Sequence, residues 1–268
     1  MLVDPDLERI QKILSRWGIA SRRQAEQMIL DGRVSLNGRI AQLGQKVDLK
    51  KDRLEVDGKL IDSKNRPQLV YLLLHKPAGV VSTCHDPQKR PTVIELLPAC
   101  LGKGQGIHPV GRLDADSTGA LLLTNDGDLT LALTHPRYHL PKVYQVWVQG
   151  KPSESILKKW RNGVILSGKK TLPSQVKVVE QSAKKTLLKV VLHEGRNRQI
   201  RRVAEQLGFG VLSLHRTAIG SIQLQSPQKP VLPRGKYRFL DNDEINSLRR
   251  QIHPEKLNLP ADTKENRK

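Results

Sequence analysis

A loop-forming run near the middle of the chain could hold a carboxylate for catalysis. Residues 108–119 read His-Pro-Val-Gly-Arg-Leu-Asp-Ala-Asp-Ser-Thr-Gly, and an apolar stretch follows. A glycine-flanked loop between apolar segments can hold Asp114 at a cleft beside the guanidinium of Arg112, where it could act as nucleophile or general base. A plain Asp/Ser/Gly turn is one alternative. A calcium loop is another, although Asn125 stands where that loop needs a glutamate.

A second stretch, residues 193–208, combines an amphipathic helix pattern with a cluster of arginines. Apolar residues three and four apart predict a helix after Asn197, the candidate N-cap, with Gly208 as its candidate stop. The arginines that crowd its first turn and approach are Arg196, Arg198, Arg201 and Arg202. Cations there oppose the helix dipole at a cost of a few tenths of a kcal/mol each. The arrangement indicates a phosphate or carboxylate partner; a merely solubilising cluster is the alternative.

A third stretch, residues 141–148, reads as a strand that carries a tyrosine beside basic residues. Alternation places Tyr144 on the same face as Lys142 and Val146. The sequence has only 3 Trp, 4 Tyr and 2 Phe, so an aromatic ring next to lysine is a candidate platform for base stacking. An ordinary half-buried strand tyrosine is the alternative.

Charge distribution favours a polyanionic partner. The formal net charge is +20 over 268 residues, and most of the excess falls between residues 67 and 240. Such an excess creates a field that attracts nucleic acid, and no strongly amphipathic lysine-rich helix points to a membrane surface instead. The longest apolar run, residues 69–74, is far shorter than the roughly 20 residues that span a bilayer.

Location and cofactors are predicted from what the sequence lacks. No secretory signal is apparent, so we expect a cytoplasmic protein whose two cysteines, Cys84 and Cys100, stay reduced. His135 and His139 lie four apart, but prolines interrupt any helix there and no further ligand pattern completes a zinc site. We therefore expect neither a metal nor an organic cofactor.

Periodicity divides the chain into two parts. The first predicts two helices, the second opened by a capping box at Ser21 and Gln24, and two tight hairpin turns at Asn37-Gly38 and Asp57-Gly58. The second predicts strands at 69–74, 119–124, 143–148 and 186–192, with helices at 153–160 and 198–207. This pattern is typical of an α+β fold with a mainly antiparallel mixed sheet flanked by helices.

The first part resembles a known RNA-binding module. Gly18 through Glu26 and Asp31 through Gly38 are similar to the S4 domain of ribosomal proteins and RNA-modifying enzymes. The resemblance implies that the arginine-bearing second helix and the following hairpin touch RNA phosphates, through Arg22, Arg23 and Arg33. We expect Arg9 and Arg16, displayed by the first helical segment, to contact RNA as well; a solvated charged face is the alternative. We expect this domain at residues 1–62, a linker at 63–68, a catalytic domain at 69–240 and a polar, flexible tail at 241–268.

The three stretches, in this order, resemble the RsuA/RluB family of ribosomal RNA pseudouridine synthases. The match also takes in Lys76-Pro77-Ala78-Gly79 and residues 214–220, with His75 where asparagine is more usual. The resemblance implies that Asp114 is the catalytic aspartate, that Arg201 pairs with it, that Tyr144 stacks on the target base and that Arg112 enters the space the base leaves. It also implies RNA contacts through the remaining basic residues of these motifs, namely Lys76, Lys142, Arg196, Arg198 and Arg202.

The function that follows is conversion of a specific uridine of ribosomal RNA into pseudouridine, after the base has been flipped out of its stack. Ribosomal RNA or an assembly intermediate is the expected partner, and a monomer is the family's default. A non-catalytic RNA-binding protein is the main alternative. A nuclease is a third reading, but the metal-binding carboxylate cluster that it would ordinarily need is not visible. The target uridine, the ribosomal subunit and the exact role of Asp114, attack or proton removal, stay open at this point.

Overall fold

The computed structural model describes residues 7–226 and 229–252. Its helices are α1 (Ile10–Arg16), α2 (Arg22–Leu30), α3 (Ala99–Gly102), α4 (Gly127–Thr134), α5 (Glu154–Asn162), α6 (Gln199–Gln206) and α7 (Asn242–Ile252), with 3-10 turns at Ser63–Asn65 and Pro136–Tyr138. The longer strands are β7 (Tyr71–Lys76), β9 (Thr118–Thr124), β10 (Lys142–Gln149), β13 (Gln175–Gln181), β14 (Lys185–Leu192) and β15 (Val211–Ile219). The shorter strands are β1 (Glu8–Arg9), β2 (Val34–Leu36), β3 (Arg39–Ile40), β4 (Lys46–Val47), β5 (Leu54–Val56), β6 (Lys59–Leu60), β8 (His108–Pro109), β11 (Ile165–Leu166), β12 (Lys169–Lys170), β16 (Ile222–Gln223) and β17 (Tyr237–Phe239). None of the described helices is long and apolar enough to cross a bilayer.

The N-terminal module, residues 7–62, is built as its local signals predict. The Ser21 hydroxyl accepts a hydrogen bond from the Gln24 backbone and the Gln24 side chain answers the Ser21 backbone, so the predicted capping box opens α2. The turns at Asn37-Gly38 and Asp57-Gly58 have positive φ at both residues and close the hairpins β2–β3 and β5–β6. The two helices bury their apolar faces against these strands in one core.

The large sheet follows the order β13-β14-β10-β15-β9-β7-β17. Strand β10 lies antiparallel to both β14 and β15, and β15 lies parallel to β9. The prediction of a mixed, mainly antiparallel sheet with helices is confirmed. All six residues of β7 are buried, which is why residues 71–74 form a continuous apolar run instead of an alternating one; His75 and Lys76 complete the strand.

Helices α5 and α6 pack against one face of this sheet. Their buried residues join those of β10 and β14 in a single apolar cluster. The helix α6 stripe is the predicted one, with Ile200, Val203 and Ala204 buried. The predicted N-cap is wrong, because the cap residue is Arg198 in the left-handed conformation (φ 47°) and it forms no side-chain cap. The Gln199 side chain instead accepts a hydrogen bond from the Arg196 backbone, which holds the approach to the helix.

The chain divides into two compact units, each described by itself. One contains the described residues through 72, together with 81–112 and 122–127, and the other contains 73–80, 113–121 and the described residues from 128 onward. In the first unit the N-terminal module lies against a glycine loop, since a Cβ on Gly18 would stand 2.4 Å from the Gly104 carbonyl oxygen. The domain boundaries expected from the sequence stay a prediction.

Part of the expected flexible tail is instead ordered structure. Residues 242–252 form α7, which buries Leu248 and Ile252, spaced four apart on one helix face. The bidentate pair between Arg238 and Glu244 fixes its first turn to β17. The polar composition concealed this two-residue apolar stripe. The remainder of the expected tail, residues 253–268, lies outside the described residues.

Candidate active site

The loop that carries Asp114 is held by hydrogen bonds from a buried lysine to its main chain. Lys76, the last residue of β7, has no exposed surface, and its Nζ donates to the carbonyl oxygens of Pro77 (2.9 Å), Ala115 (3.3 Å) and Ser117 (2.8 Å). The Gly79 backbone also donates to the Ala115 carbonyl, and the Ser117 backbone donates to the Asp114 carbonyl. The loop is therefore fixed by main-chain contacts, which leaves its acidic side chains available.

The burial of Lys76 contradicts the expectation that it contacts RNA. Desolvation lowers the pKa of Lys76 to about 8, while the nearby charges of Asp116 and Asp114 oppose that shift. Its three carbonyl partners use all three of its donors, so the ammonium has none left for a phosphate. The structure assigns it a scaffolding role because β7 is buried along its whole length.

The far end of the loop is wedged against β15. Gly119 has φ +110°, and a Cβ there would lie 2.2 Å from the Arg216 carbonyl oxygen and 2.6 Å from its nitrogen. The Arg216 side chain is itself buried and its Nε donates to the Ala120 carbonyl at 2.7 Å. Only glycine fits at position 119, because the loop and β15 pair main chain to main chain there.

Two carboxylates of the loop face two guanidiniums of the α6 region. Arg198 Nη1 lies 3.4 Å from Asp114 Oδ2, and its Nη2 lies 3.7 Å from Asp116 Oδ2. Arg201 Nη2 lies 3.1 Å from Asp116 Oδ2 and donates to the Ser117 hydroxyl at 3.3 Å. The loop and the helix start, distant in sequence, thus form one charge-balanced network.

This network corrects the expected partner of Asp114. Arg201 was expected to pair with that carboxylate, but Arg198 does so and Arg201 pairs with Asp116. Arg198 has a left-handed backbone, and the helix starts one residue later than predicted. Asp114 has about a third of its side chain exposed, so the carboxylate stays accessible.

Tyr144 lies in the apolar core between the sheet and helix α6. It is 8 % exposed and belongs to the cluster that also contains Leu113, next to Asp114, and Ile200, next to Arg201. Each of the three stretches singled out in the sequence therefore contributes a residue to this one cluster. On the neighbouring strand Arg216 lies opposite Tyr144, with its guanidinium carbon 6.0 Å from the ring centroid.

Lys142 completes the basic lining on the Tyr144 side. Burial lowers the pKa of Lys142 to about 8, with a smaller contribution from the charge of Arg216. Its Nζ donates to the Leu140 carbonyl at 3.2 Å, which leaves further donors on the ammonium. His75, the departure from the usual family pattern, is buried, bonds the Leu232 carbonyl and packs edge-on to His215, as a packing residue does.

Of the other basic residues predicted to contact RNA in this part of the chain, some are bonded within the protein and others are exposed. Arg196 is used internally, since it pairs with Glu194 and donates to the carbonyls of Lys169 and Lys170. Arg202 donates to the Ser167 hydroxyl at 2.8 Å. Arg112 is exposed and forms no ion pair with any described residue. The structure thus argues against Arg196 as a phosphate contact and leaves Arg112 accessible.

The arginines of the N-terminal module also divide into those paired with a carboxylate and those that form no ion pair. Arg16 is largely buried and pairs with Glu8, and Arg33 forms a bidentate pair with Asp57 across the hairpin. Both pairs tie the module together. Arg9, Arg22 and Arg23 are exposed and form no ion pair with a described residue, whereas Arg33 is exposed but paired.

Sequence reasoning missed three residues of the site. Asp116 and Ser117 belong to the carboxylate–guanidinium network, and Arg216 lies between Ala120 and Tyr144. The signal for Asp116 was present, two residues from Asp114 in the same loop. The signal for Arg216 was its place in an apolar strand, where a charged residue is rarely buried without a reason.

Comparisons with known proteins show the family to which the chain belongs. Residues 70–206 match the family model described as RNA pseudouridylate synthase, and residues 8–54 match the S4 domain. The chain is 38% identical over 246 residues to "Ribosomal large subunit pseudouridine synthase B" of Bacillus subtilis, covering 91% of this chain and 96% of the relative. It is 39% identical to an "Uncharacterized RNA pseudouridine synthase" of Aquifex aeolicus, covering 90% and 93%.

A solved structure shares a similar fold. The crystal structure of a pseudouridylate synthase superposes with a TM-score of 0.64 at 29% identity, covering 90% of this chain and 99% of that one. An S4 module joined to a sheet domain that holds an accessible aspartate against an arginine fits an enzyme that modifies RNA. The chain belongs to the RNA pseudouridylate synthase family, whose members isomerise uridine in RNA to pseudouridine.

Proposed function

We propose that this enzyme converts a uridine of large-subunit ribosomal RNA to pseudouridine, with Asp114 as the group that acts on the sugar. The observation that carries the proposal is the Asp114 carboxylate, accessible on a rigid loop and packed beside the cluster that holds Tyr144. The choice of ribosomal RNA rests on the relatives, since those of Bacillus subtilis and Pseudomonas aeruginosa carry the name of a large-subunit enzyme.

The reaction needs the target nucleotide outside the helical stack, because its glycosidic bond is inaccessible within a duplex. Tyr144 supports the extruded base by stacking, and Arg112 occupies the space that the base leaves. The exposed arginines of α2, Arg22 and Arg23, and the lining residue Lys142 face the phosphates. These contacts place the RNA so that binding energy goes into orienting one nucleotide.

The chemistry is an isomerisation in which every atom of the base is kept. The bond between uracil N1 and the sugar C1′ breaks, uracil turns in the pocket, and a bond forms between C5 and C1′. N1 gains a proton and C5 loses one, so the balance requires no oxidant or group donor. Asp114 either attacks C1′ directly or removes the C2′ proton; Arg198 stabilises its charged form in both routes. Deuterium at C2′ separates the routes, because only proton removal gives a primary isotope effect.

Tritium release from RNA labelled at uridine C5 tests the proposal. Purified enzyme is mixed with protein-free large-subunit RNA or small-subunit RNA, beside Asp114→Asn, which keeps the side-chain size. We expect release from large-subunit RNA only, a loss on the order of 10⁴-fold or more in the variant, and equal RNA affinity for both proteins. Retained turnover by Asp114→Asn would remove Asp114 from this role. Release from small-subunit RNA alone would overturn the choice of substrate. We propose the cytoplasm, where ribosomal RNA is assembled, as the place of action.

A further inference from the structure

We infer that Asp116 is a positioning residue for this reaction: it holds Arg201 and part of Arg198 so that only one guanidinium contacts Asp114. The inference rests on the proposed role of Asp114. It concerns a side chain to which the family resemblance assigns no chemistry, and it is argued from the contacts of the loop with the start of α6.

Both oxygens of Asp116 have a partner. Oδ2 lies 3.1 Å from Arg201 Nη2 and 3.7 Å from Arg198 Nη2, and Oδ1 accepts a hydrogen bond from the Ser117 hydroxyl at 3.3 Å. The same hydroxyl accepts a bond from Arg201 Nη2 at 3.3 Å. Asp116, Ser117 and Arg201 therefore form a closed triangle, and Ser117 is itself fixed because its carbonyl receives Lys76.

Arg201 depends on Asp116 for charge compensation. Its side chain is only 15% exposed, and its Nε is buried without a hydrogen-bond partner in the described part of the chain. A guanidinium so poorly hydrated needs a carboxylate close by. Without the Asp116 charge, the other carboxylate of this network is Asp114, so Arg201 would be drawn toward it.

In that rearrangement the Asp114 carboxylate would lose its one available oxygen. In the present arrangement Oδ2 faces Arg198 at 3.4 Å, while Oδ1 accepts no hydrogen bond from any side chain or amide that the structure describes. One oxygen is thus held and the other is available for the sugar. A second guanidinium would engage the free oxygen, since planar arginine donors match both oxygens of a carboxylate.

The backbone of Arg198 is consistent with this division of roles. A left-handed conformation at a residue other than glycine, asparagine or aspartate is uncommon and carries strain. At this position it lets one guanidinium reach Asp114 with Nη1 and Asp116 with Nη2. Asp116 thereby also limits how far Arg198 advances onto the reacting carboxylate.

The test measures kcat and KM for Asp116→Asn by tritium release, with Glu180→Gln as the matched control. Glu180 is an exposed acid of β13, and its substitution removes the same unit of charge outside the network. We expect kcat of Asp116→Asn to fall about 10- to 100-fold, as a small misplacement of reacting groups does. We expect its KM to stay level or fall, because one negative charge has left an RNA-binding site. Glu180→Gln should stay within about twofold of wild type in both constants.

Two further variants separate positioning from damage to the fold. Asp116→Glu should recover part of kcat, because its carboxylate can still reach Arg201. In an Arg201→Met background, where the arginine to be restrained is gone, Asp116→Asn should cost less than about threefold. RNA-binding stoichiometry counts the folded fraction of each protein, so that kcat is referred to active enzyme.

The outcomes distinguish this inference from the proposed function. A wild-type enzyme that releases no tritium, or an active Asp114→Asn, would be a failure of the proposed function. An active wild type with an unaffected Asp116→Asn would overturn only the role of Asp116. Equal losses from Asp116→Asn with and without Arg201 would also overturn it, because Asp116 would then not act through that arginine.

Discussion

The N-terminal module and the loop around Asp114 contain the same two local features, but their surroundings differ. Each has a glycine at positive φ and an arginine paired with a carboxylate. In the module, Gly38 has open space around it and the Arg33–Asp57 pair is about half exposed. In the loop around Asp114, Gly119 is pressed against β15, and Arg201 is 15% exposed although its partner Asp116 is about half exposed. The local sequence determines that a glycine turn or an arginine–carboxylate pair forms, but the surrounding packing determines how much each contributes to stability.

The largest difference is expected from the two glycines. Gly119→Ala should lower the free energy of unfolding by about 3 kcal/mol or more, because the new Cβ overlaps the Arg216 main chain and neither strand can yield cheaply. Gly38→Ala should cost only about 1 kcal/mol, since its Cβ meets nothing within 4 Å and only the left-handed backbone is strained. Urea unfolding followed by circular dichroism measures both. Similar losses in the two variants would contradict the packing argument.

The next difference separates arginines that act in the reaction from arginines that act in binding. Arg198→Gln removes the guanidinium beside Asp114 and should lower kcat about 10-fold or more, with a smaller rise in KM. Arg22→Gln removes an exposed cation of α2 and should raise KM a few-fold while kcat is unchanged, because only a phosphate contact is lost. Steady-state tritium release resolves the two constants. If Arg22→Gln changed kcat as strongly as Arg198→Gln did, the separation of roles would be wrong.

The residues that meet at the site were largely predictable from the sequence, whereas their partners were not. The family resemblance selected Asp114 and Tyr144, whose roles stay a prediction, and helical periodicity placed the buried face of α6. Arg198, which pairs with Asp114, has a left-handed backbone at the start of α6, and neither propensity nor spacing reveals that conformation.

Burial explains the other differences between prediction and structure. Lys76 is predicted to contact phosphate because it lies in a Lys-Pro-x-Gly turn. In the structure it is the last residue of a fully buried strand, and its ammonium donates hydrogen bonds to carbonyl oxygens. Arg16, Arg33 and Arg196 looked free because the sequence does not show which acidic residue folds back onto them. Helix α7 was concealed because two apolar residues suffice to dock a short helix.

The smallest expected effect is a pH dependence carried by Lys142. Burial lowers the pKa of Lys142 to about 8, so the ammonium is charged below that pH and loses its charge above it. KM for RNA should therefore rise a few-fold between about pH 7 and pH 9. Lys142→Arg keeps its charge throughout and should show a flat KM over that range. A rise of the same size in the variant would assign the pH dependence to another group.

The most direct test of the whole account is a pseudouridine map of ribosomal RNA from cells that lack this chain. We expect one pseudouridine of the large-subunit RNA to disappear, to return when the wild-type chain is supplied, and to stay absent when Asp114→Asn is supplied at equal abundance. A complete map in the deletion strain, or restoration by Asp114→Asn, would contradict the claim that this carboxylate performs the isomerisation.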